Sequence, residues 1–225
     1  MWIADRLSYR GENNFIRAYQ GNVLVWERPA PANNVIYYTA KANEVGYNKI
    51  VLWPDKYNFG GVNVVSNTND EGLGIMVFDG PVTEIGRNAF LSCYKLESII
   101  IPSSVTLIDG FAFDACEDLK KVDMPTSLTH INGSAFLGCK GLETVTIPSS
   151  VIHIGGAAFL GCKSLVEVIM NPLVPPELFY NDVTDEYTSF FDNAPGRKIK
   201  VPAESLQAYK TAPGWSDYAD DIIAQ

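Results

Sequence analysis

The sequence predicts an α/β repeat solenoid, in which similar short coils stack along one axis. Three observations predict it: phenylalanine, cysteine and leucine each recur at intervals of 23 residues along the middle of the chain. These positions are Phe90, Phe113, Phe136 and Phe159, then Cys93, Cys116, Cys139 and Cys162, then Leu96, Leu119, Leu142 and Leu165. A fixed period of this length is typical of chains whose repeats each form one coil. Such a fold presents a broad surface, so binding is expected rather than catalysis.

Each coil is predicted to contain one short parallel strand and one helical turn. Residues 142–148 alternate, with Val145 and Ile147 on one face, and end at a proline, as short strands do. The segment Ala-Phe-x-x-Cys-x-x-Leu repeats apolar residues every three positions, which is helical or 3₁₀ spacing. A tight turn with positive φ is expected in one further column, because Gly, Asn and Asp tolerate that backbone conformation. That column is Gly86, Asp109, Asn132 and Gly155.

The repeat resembles a known family. The pattern Ile-Pro-Ser-Ser-Val-Thr-x-Ile-x-x-x-Ala-Phe-x-x-Cys-x-x-Leu, at residues 101–119, resembles the BspA-like leucine-rich repeats of gut and oral bacteria, and the likeness covers residues 73–170. Residues 201–218 resemble the cap that closes many such proteins, and residues 36–39 and 63–67 resemble their N-terminal cap. The resemblance implies a surface or secreted protein that adheres or recognises, although a fold does not dictate a function.

The chain is divided into an appendage, a cap, a solenoid and a second cap, because exposed solenoid ends are open sheet edges. The predicted bounds are 1–30 for an N-terminal β-hairpin, 31–77 for an N-terminal cap, 78–202 for the solenoid and 203–225 for a C-terminal helical cap. The four regular coils are residues 78–100, 101–123, 124–146 and 147–169. An altered last coil is expected over 170–202.

The altered coil is predicted from a break in the period. Phe159 and Phe191 are 32 positions apart, nine more than one repeat, so extra residues are expected within 171–190. In the C-terminal cap, a helix is expected over 203–212, with Trp215 and Tyr218 covering the last coil. In the appendage, residues 15–19 and 23–26 flank Gln-Gly-Asn, which is typical of a hairpin.

Composition excludes several classes of partner. The net charge of −9 disfavours nucleic acid and anionic membrane surfaces, which require clustered Lys and Arg. No apolar run approaches the roughly 18 residues of a membrane span, so membrane insertion is not expected. No signal peptide is visible after Met1, because no apolar stretch follows it. Either the chain is made without a signal, or a signal has been removed.

Candidate chemistry is sparse. The chain lacks Gly-x-Ser-x-Gly, His-Glu-x-x-His and a phosphate-binding glycine loop, so we expect no enzyme and no cofactor. The cysteines lack the Cys-x-x-Cys spacing of zinc sites and are interpreted as a buried thiol ladder, although stacked thiols could also oxidise. His130 and His153, the only histidines, are one period apart. They are either a solvated ladder or a metal pair or pH switch, and no carboxylate is expected beside them in their column.

Two surfaces are candidates for partner binding. Solenoids commonly bind through the outward side of the strand ladder. Its predicted columns are Ser98, Lys121, Thr144 and Glu167, and Ile100, Asp123, Thr146 and Ile169. The second candidate is the loop with Tyr180, Asp182 and Tyr187, since tyrosine is common at binding hot spots. Ordinary solvated positions remain the alternative for both.

These patterns favour a non-catalytic module that binds a protein or glycan partner at a cell surface, as an adhesin does. The alternative is a phage virion or tail-associated protein, structural or receptor-binding, anchored by its N-terminal hairpin. In that setting residues 1–30 would mediate homo-oligomer formation or virion assembly. The expected location is therefore extracellular, at a cell surface or in a virion.

Overall fold

A three-stranded antiparallel sheet lies at the start of the chain. The computed structural model describes residues 6–10, 15–20, 23–29, 33–41, 56–70, 73–181, 186–187, 190–191 and 197–225. Strands β1 (Arg6–Arg10), β2 (Phe15–Gln20) and β3 (Val23–Pro29) pair in that order. Gln20 pairs with Val23, which confirms the predicted hairpin of β2 and β3. The sequence analysis missed β1, whose alternation of Leu7 and Tyr9 with polar residues is only five residues long.

The N-terminal cap extends the sheet of the first coil. It contains β4 (Val35–Ala40), a 3₁₀ helix (Lys56–Phe59), β5 (Val64–Asp70) and β6 (Leu73–Phe78). Strand β4 runs antiparallel to β6 on one side and to the first long repeat strand, Leu96–Ile100, on the other. Phe59 packs 4.8 Å from Phe78 and 5.9 Å from Phe90, measured between ring centres. The cap therefore closes the first coil with both a strand and an aromatic side chain.

The regular coils each contain two strands, one more than the sequence predicted. The strands are β7 (Glu84–Ile85), β8 (Leu96–Ile100), β9 (Leu107–Ile108), β10 (Lys121–Asp123), β11 (His130–Ile131), β12 (Thr144–Ile147), β13 (His153–Ile154) and β14 (Glu167–Met170). Among these eight strands, β7, β9, β11 and β13 form one parallel sheet, here called the odd-numbered sheet. Strands β8, β10, β12 and β14, here called the even-numbered strands, lie on another side of the coil. The odd-numbered strands are two residues long, too short to produce a detectable alternation in the sequence.

The third side of each coil consists of turns, not a helix. Cys116 N donates to Phe113 O at 3.2 Å and Leu119 N to Cys116 O at 3.1 Å, so the predicted three-residue spacing is confirmed by hydrogen bonds. Phe111 and Ala115 have φ of 59° and 57°, and each positive φ separates one turn from the next. Phe113 N also donates to Ala135 O of the next coil at 2.7 Å. The backbone therefore bonds between coils where a helix would bond within itself.

The predicted column of positive φ was placed wrongly. Left-handed residues lie two positions later in each coil, at Asn88, Phe111, Ser134 and Ala157, and six positions later, at Ser92, Ala115, Gly138 and Gly161. In the predicted column, Asn132 Nδ2 instead donates to Asp109 Oδ1 at 2.7 Å. At Gly155 a Cβ atom would lie 2.3 Å from Gly133 N. The choice of Gly, Asn or Asp in this column therefore reflects contacts between coils and not a positive φ.

The core is a set of stacked ladders. The rings of Phe90, Phe113, Phe136 and Phe159 follow one another at 5.0, 5.0 and 5.1 Å, with planes within 4° of parallel. All four are fully buried, as are the alanine and leucine ladders beside them. Because identical side chains occupy equivalent places, each ring packs on its own equivalent in the next coil.

The fifth coil is irregular, as predicted from the break in the period. Its strands are β15 (Glu177–Leu178), β16 (Tyr180–Asn181), β17 (Glu186–Tyr187) and β18 (Lys198–Val201). Phe159 N donates to Phe190 O at 2.8 Å, and Phe159 and Phe191 form a parallel bridge. Phe191 thus takes the next place in the phenylalanine ladder. The antiparallel pair β16 and β17 lies between β15 and this bridge, among the extra residues.

The C-terminal cap covers the last coil with aromatic side chains. It contains a 3₁₀ helix (Ala203–Ser205), α1 (Leu206–Thr211), a second 3₁₀ helix (Trp215–Tyr218) and β19 (Ile222–Ala224). Trp215 is buried, lies edge-on to Phe190 at 5.0 Å, and donates from Nε1 to Pro176 O at 2.7 Å. Tyr209 donates to Pro172 O at 2.9 Å. Strand β19, which was not predicted, pairs in parallel with β18. None of the helices in the described part of the chain is long and apolar enough to cross a membrane.

Candidate binding face

The outward side of the even-numbered strands, continued by β18 and β19, is here called the strand face. Its register stacks the predicted residues: Ser98 pairs with Lys121, and Thr144 pairs with Glu167. The second predicted column pairs Ile100 with Asp123 and Thr146 with Ile169. The strands form two sheets, one ending at β10 and the other beginning at β12. The strand face is therefore divided between coils 2 and 3.

The N-terminal part of the strand face is closed. Ile100 was predicted to face outward to a partner, but only 3% of it is exposed. Its neighbour is Tyr37 of β4, which is also buried, and neither side chain belongs to the main core cluster. Beside them, the hydroxyls of Thr39 and Ser98 are 2.6 Å apart. Ile100 is therefore inaccessible to a partner, because a strand from outside the repeats pairs alongside it.

Asp123 marks the end of the closed part. Burial raises the pKa of its carboxyl group, and the ammonium group of Lys121, 3.0 Å away, acts in the opposite direction. Both side chains are partly buried. Lys121 and Asp123 therefore form an ion pair within one coil, and their charges are paired without a binding partner.

The C-terminal part of the strand face is open. Thr144 and Thr146 are exposed, and Ile169 lies between Thr146 and Lys200 in the register of the sheet. The next strand adds Ile223, which pairs with Lys200 and is 36% exposed. We call this set the open strand face. Its members are Thr144, Thr146, Glu167, Ile169, Lys198, Lys200 and Ile223.

Three of these residues were missed by the sequence analysis. Lys198 pairs with Glu167 in register, and Lys200 forms an ion pair with Glu167. The alternation Lys-Ile-Lys-Val at 198–201 was the available signal, but it follows the break in the period. Ile223 belongs to a strand outside the repeats. The open strand face therefore combines hydroxyl, charged and aliphatic side chains from three kinds of segment.

The second predicted surface is described only in part. Tyr180 and Tyr187 pair directly across β16 and β17, so the fold brings these two positions together. Asp182 lies outside the described residues. Whether this loop contacts a partner stays a prediction.

The cysteines form the buried ladder that the sequence predicted. All four are free thiols with little or no exposure. The Sγ atoms of Cys116, Cys139 and Cys162 donate to phenylalanine carbonyl oxygens of the preceding coil, at 3.1, 3.1 and 3.2 Å. Burial raises the pKa of Cys93 to about 12. The thiolate, which is the reactive form, is therefore suppressed at Cys93.

The two histidines are adjacent on the odd-numbered sheet. His130 pairs with His153, with ring centres 5.8 Å apart and planes inclined at 37°. His153 pairs on its other side with Glu177, so the expectation that no carboxylate would be adjacent was wrong. The reason is that the altered coil places its short strand 24 rather than 23 residues later. Across the described residues, no group of three His, Cys, Asp or Glu side chains is placed to hold a metal ion.

Comparison with known families identifies the repeat. Residues 73–207 match the BspA type Leucine rich repeat region in six copies, which is more than half of the chain. This chain belongs to the BspA-type leucine-rich repeat family. No curated protein has significant sequence similarity to it.

Several solved structures are similar to this BspA-type chain. The pneumococcal vaccine antigen PcpA matches with a TM-score of 0.51 and 19% identity, over 64% of this chain and 39% of that one. A leucine-rich repeat protein of T. pallidum matches at 0.49 with 27% identity, over 65% and 64%. A leucine-rich cell surface protein of Faecalibacterium prausnitzii matches at 0.48 with 25% identity, over 60% and 34%. The chain spans less than two thirds of the length of each.

Proposed function

We propose that this BspA-type repeat chain is a non-catalytic binding module whose open strand face takes a protein or glycan partner at a cell surface. One contrast supports it most strongly. On the same side of the solenoid, Ile100 is buried beside the cap while Thr144 and Thr146 remain exposed. A partner that uses this face is therefore directed to coils 3 to 5.

The composition of the open strand face suits recognition. Hydroxyls and an ion pair supply directional hydrogen bonds, and Ile169 and Ile223 supply apolar contact area. Because these side chains stand on hydrogen-bonded strands, little ordering is needed when a partner binds. The mixed charge of Glu167, Lys198 and Lys200 favours a partner with both polar and charged groups over a purely anionic one.

A catalytic role has little support in the described residues. A nucleophile must be activated by a base within hydrogen-bonding distance. All four thiols are buried, burial raises the pKa of Cys93, Cys116 and Cys139, and the Sγ atoms of Cys116, Cys139 and Cys162 donate to carbonyl oxygens within the core. The two imidazoles lie on the odd-numbered sheet, on a different side of the coil from the open strand face.

The test is binding of the labelled chain to intact bacterial cells and to a panel of matrix proteins and glycans. For whichever target binds, Thr146→Arg should weaken affinity at least tenfold, because a long charged side chain then occupies the centre of the open strand face. The matched control is Thr106→Arg, at an exposed position just before β9. Equal affinity for both variants would remove the strand face from the proposal. Binding to no target would remove the adhesin-like role.

The alternative setting is a phage virion, with the N-terminal strands as the attachment. It is favoured by one observation: β1, β2 and β3 form a sheet of their own, hydrogen-bonded separately from the sheets of the solenoid. Deleting residues 1–30 should then abolish oligomer formation or assembly, measured as mass in light scattering. An unchanged mass would refute this setting and leave the binding role of the strand face standing.

A further inference from the structure

We propose that His130 and His153 together bind a divalent transition-metal ion such as Zn²⁺, Ni²⁺ or Cu²⁺ on the odd-numbered sheet. This site lies on a different side of the coil from the open strand face and does not depend on the partner proposed there. It is a two-histidine site with open coordination positions, consistent with the absence of a third protein ligand among the described residues.

The distance between the rings fits one shared ion. A zinc–nitrogen bond of about 2.1 Å places the ion roughly 3.2 Å from the centre of each ring. At a tetrahedral angle the two ring centres are then about 5.2 Å apart. The observed separation of the ring centres is 5.8 Å on strands held in parallel register, and one ion is shared when the side chains rotate so that a nitrogen of each ring points to the same place.

A chain of hydrogen bonds selects the correct tautomer of His130. The hydroxyl of Thr129 donates to Thr106 O at 2.9 Å, so its hydrogen is already used. The same oxygen lies 2.9 Å from His130 Nδ1 and therefore accepts from it. Nδ1 then carries the hydrogen, and the lone pair is on Nε2. An outer partner that fixes tautomer and ring orientation is what metal-binding histidines require.

The ring of His153 is partly buried and lies beside that of His130. Glu177, exposed in the next coil and in register with His153, adds a negative charge to the same column. On the far side of His130 the column continues with Leu107, which cannot coordinate. The site is therefore limited to the two rings.

The chain contains only these two histidines, which makes the test direct. Proton NMR of the full-length chain should show two imidazole Hε1 signals. On titration with ZnCl₂ at pH 7.5, both signals should shift with the same dependence on zinc concentration. Paramagnetic NiCl₂ should broaden both together, MgCl₂ should leave both unchanged, and EDTA should restore them.

Substitutions test whether the two rings act as one site. His130→Gln and His153→Gln should each weaken zinc binding at least tenfold. Thr129→Val should weaken it severalfold, because His130 Nδ1 then loses the hydroxyl that holds its hydrogen. Glu84→Gln, at the far end of the same column, is the matched control and should bind as the unsubstituted chain does. At pH 5 the unsubstituted chain should lose zinc, since protons compete for both rings. A response confined to one signal, equal binding by His153→Gln, or an equal effect of MgCl₂ would overturn the proposal.

Discussion

The regular coils, residues 78–169, and the terminal region, residues 170–225, bury aromatic rings in different ways. In the regular coils each phenylalanine stacks on its equivalent, with planes 2–4° from parallel at 5.0–5.1 Å. At the terminal coil the separation of Phe159 and Phe191 rises to 5.6 Å and the angle to 30°. Beyond it, Trp215 and Tyr218 meet Phe190 edge-on. A phenylalanine ring can stack on the equivalent ring of the next coil only where another regular coil follows.

The regular coils and the terminal region also differ in how their backbone groups are hydrogen-bonded. In the regular coils, backbone amides bond to the next coil, as Phe113 N does to Ala135 O. In the terminal region no further coil follows, so strand β19 and several side chains provide the hydrogen-bond partners. Ser205, Tyr209 and Trp215 donate to the carbonyl oxygens of Leu173, Pro172 and Pro176. The cap thus satisfies the carbonyl groups of Pro172 and Pro176, which are buried and would otherwise lack hydrogen bonds.

The largest effect is expected from breaking the aromatic ladder in its middle. Phe136→Ala removes a fully buried ring stacked on both sides and should lower the free energy of unfolding by about 3–5 kcal/mol. Phe191→Ala, the same change at the end of the ladder, should mainly loosen the terminal region, because repeats couple through their neighbours. Hydrogen exchange would separate the two: only Phe136→Ala should reduce protection in coils 1 and 2. Equal losses there would show that the two regions unfold as one.

A second test concerns how closely the regular coils approach one another. Gly155→Ala would place Cβ 2.3 Å from Gly133 N and 2.6 Å from Asn132 C, which are backbone atoms. It should lower stability by about 1–3 kcal/mol, since the coils must separate to admit it. Gly133→Ala is the control, because its nearest contact, Gly156 O, is at 3.2 Å. Thermal unfolding should rank Gly155→Ala below Gly133→Ala, and the reverse order would contradict the spacing described here.

The hydrogen bonds of the cap are expected to have a smaller effect. Trp215→Phe keeps an aromatic ring against Phe190 but leaves Pro176 O without its donor at 2.7 Å. The expected loss is about 1–2 kcal/mol, the usual result of leaving a buried carbonyl unpaired. Tyr209→Phe removes the hydroxyl from Pro172 O in the same way and should behave alike. If chemical denaturation shows neither change, the cap is held by apolar packing alone.

The smallest expected effect is a pH dependence at Asp123, in the regular coils. Burial raises its pKa, so its charged form is less favourable in the folded chain than in the unfolded chain. Its contribution to stability is present below the ordinary pKa of 3.8 and is lost as pH rises through the raised value. Asp123→Asn should therefore stabilise the chain slightly at pH 7, by less than about 1 kcal/mol, and the gain should vanish near pH 3.

Asp79 provides the opposite sign for comparison. Hydrogen bonds from the side chain and backbone of Asn63 lower its pKa, so its contribution is present at neutral pH and is lost as pH falls through the lowered value. Asp79→Asn should destabilise the chain at pH 7 and have less effect in acid. Urea denaturation at several pH values tests both variants. If Asp123→Asn and Asp79→Asn changed the stability at pH 7 in the same direction, these assignments would be contradicted.

The 23-residue period of the sequence predicted which residues of the candidate binding face lie beside one another in coils 3 and 4. Thr144 and Glu167 pair in the register that a 23-residue repeat requires, and so do Thr146 and Ile169. It failed at Ile100, because β4 is not a repeat and its position beside β8 arises only when the cap folds back. It failed again beside His153, where a shift of one residue in the altered coil brings Glu177 into the column. Both failures occur where a neighbour comes from outside the regular period.

The sequence by itself determined the solenoid, its register, its buried ladders and the place of Phe191, because a residue repeated at a fixed interval can have only its own equivalents as neighbours in a stacked coil. The tertiary structure decided which part of the strand face is open and how the last coil is covered. Those features depend on contacts between residues such as Tyr37 and Ile100, or Trp215 and Pro176, whose separation in sequence follows no period. Such contacts are set by chain folding in three dimensions, which local pattern does not encode.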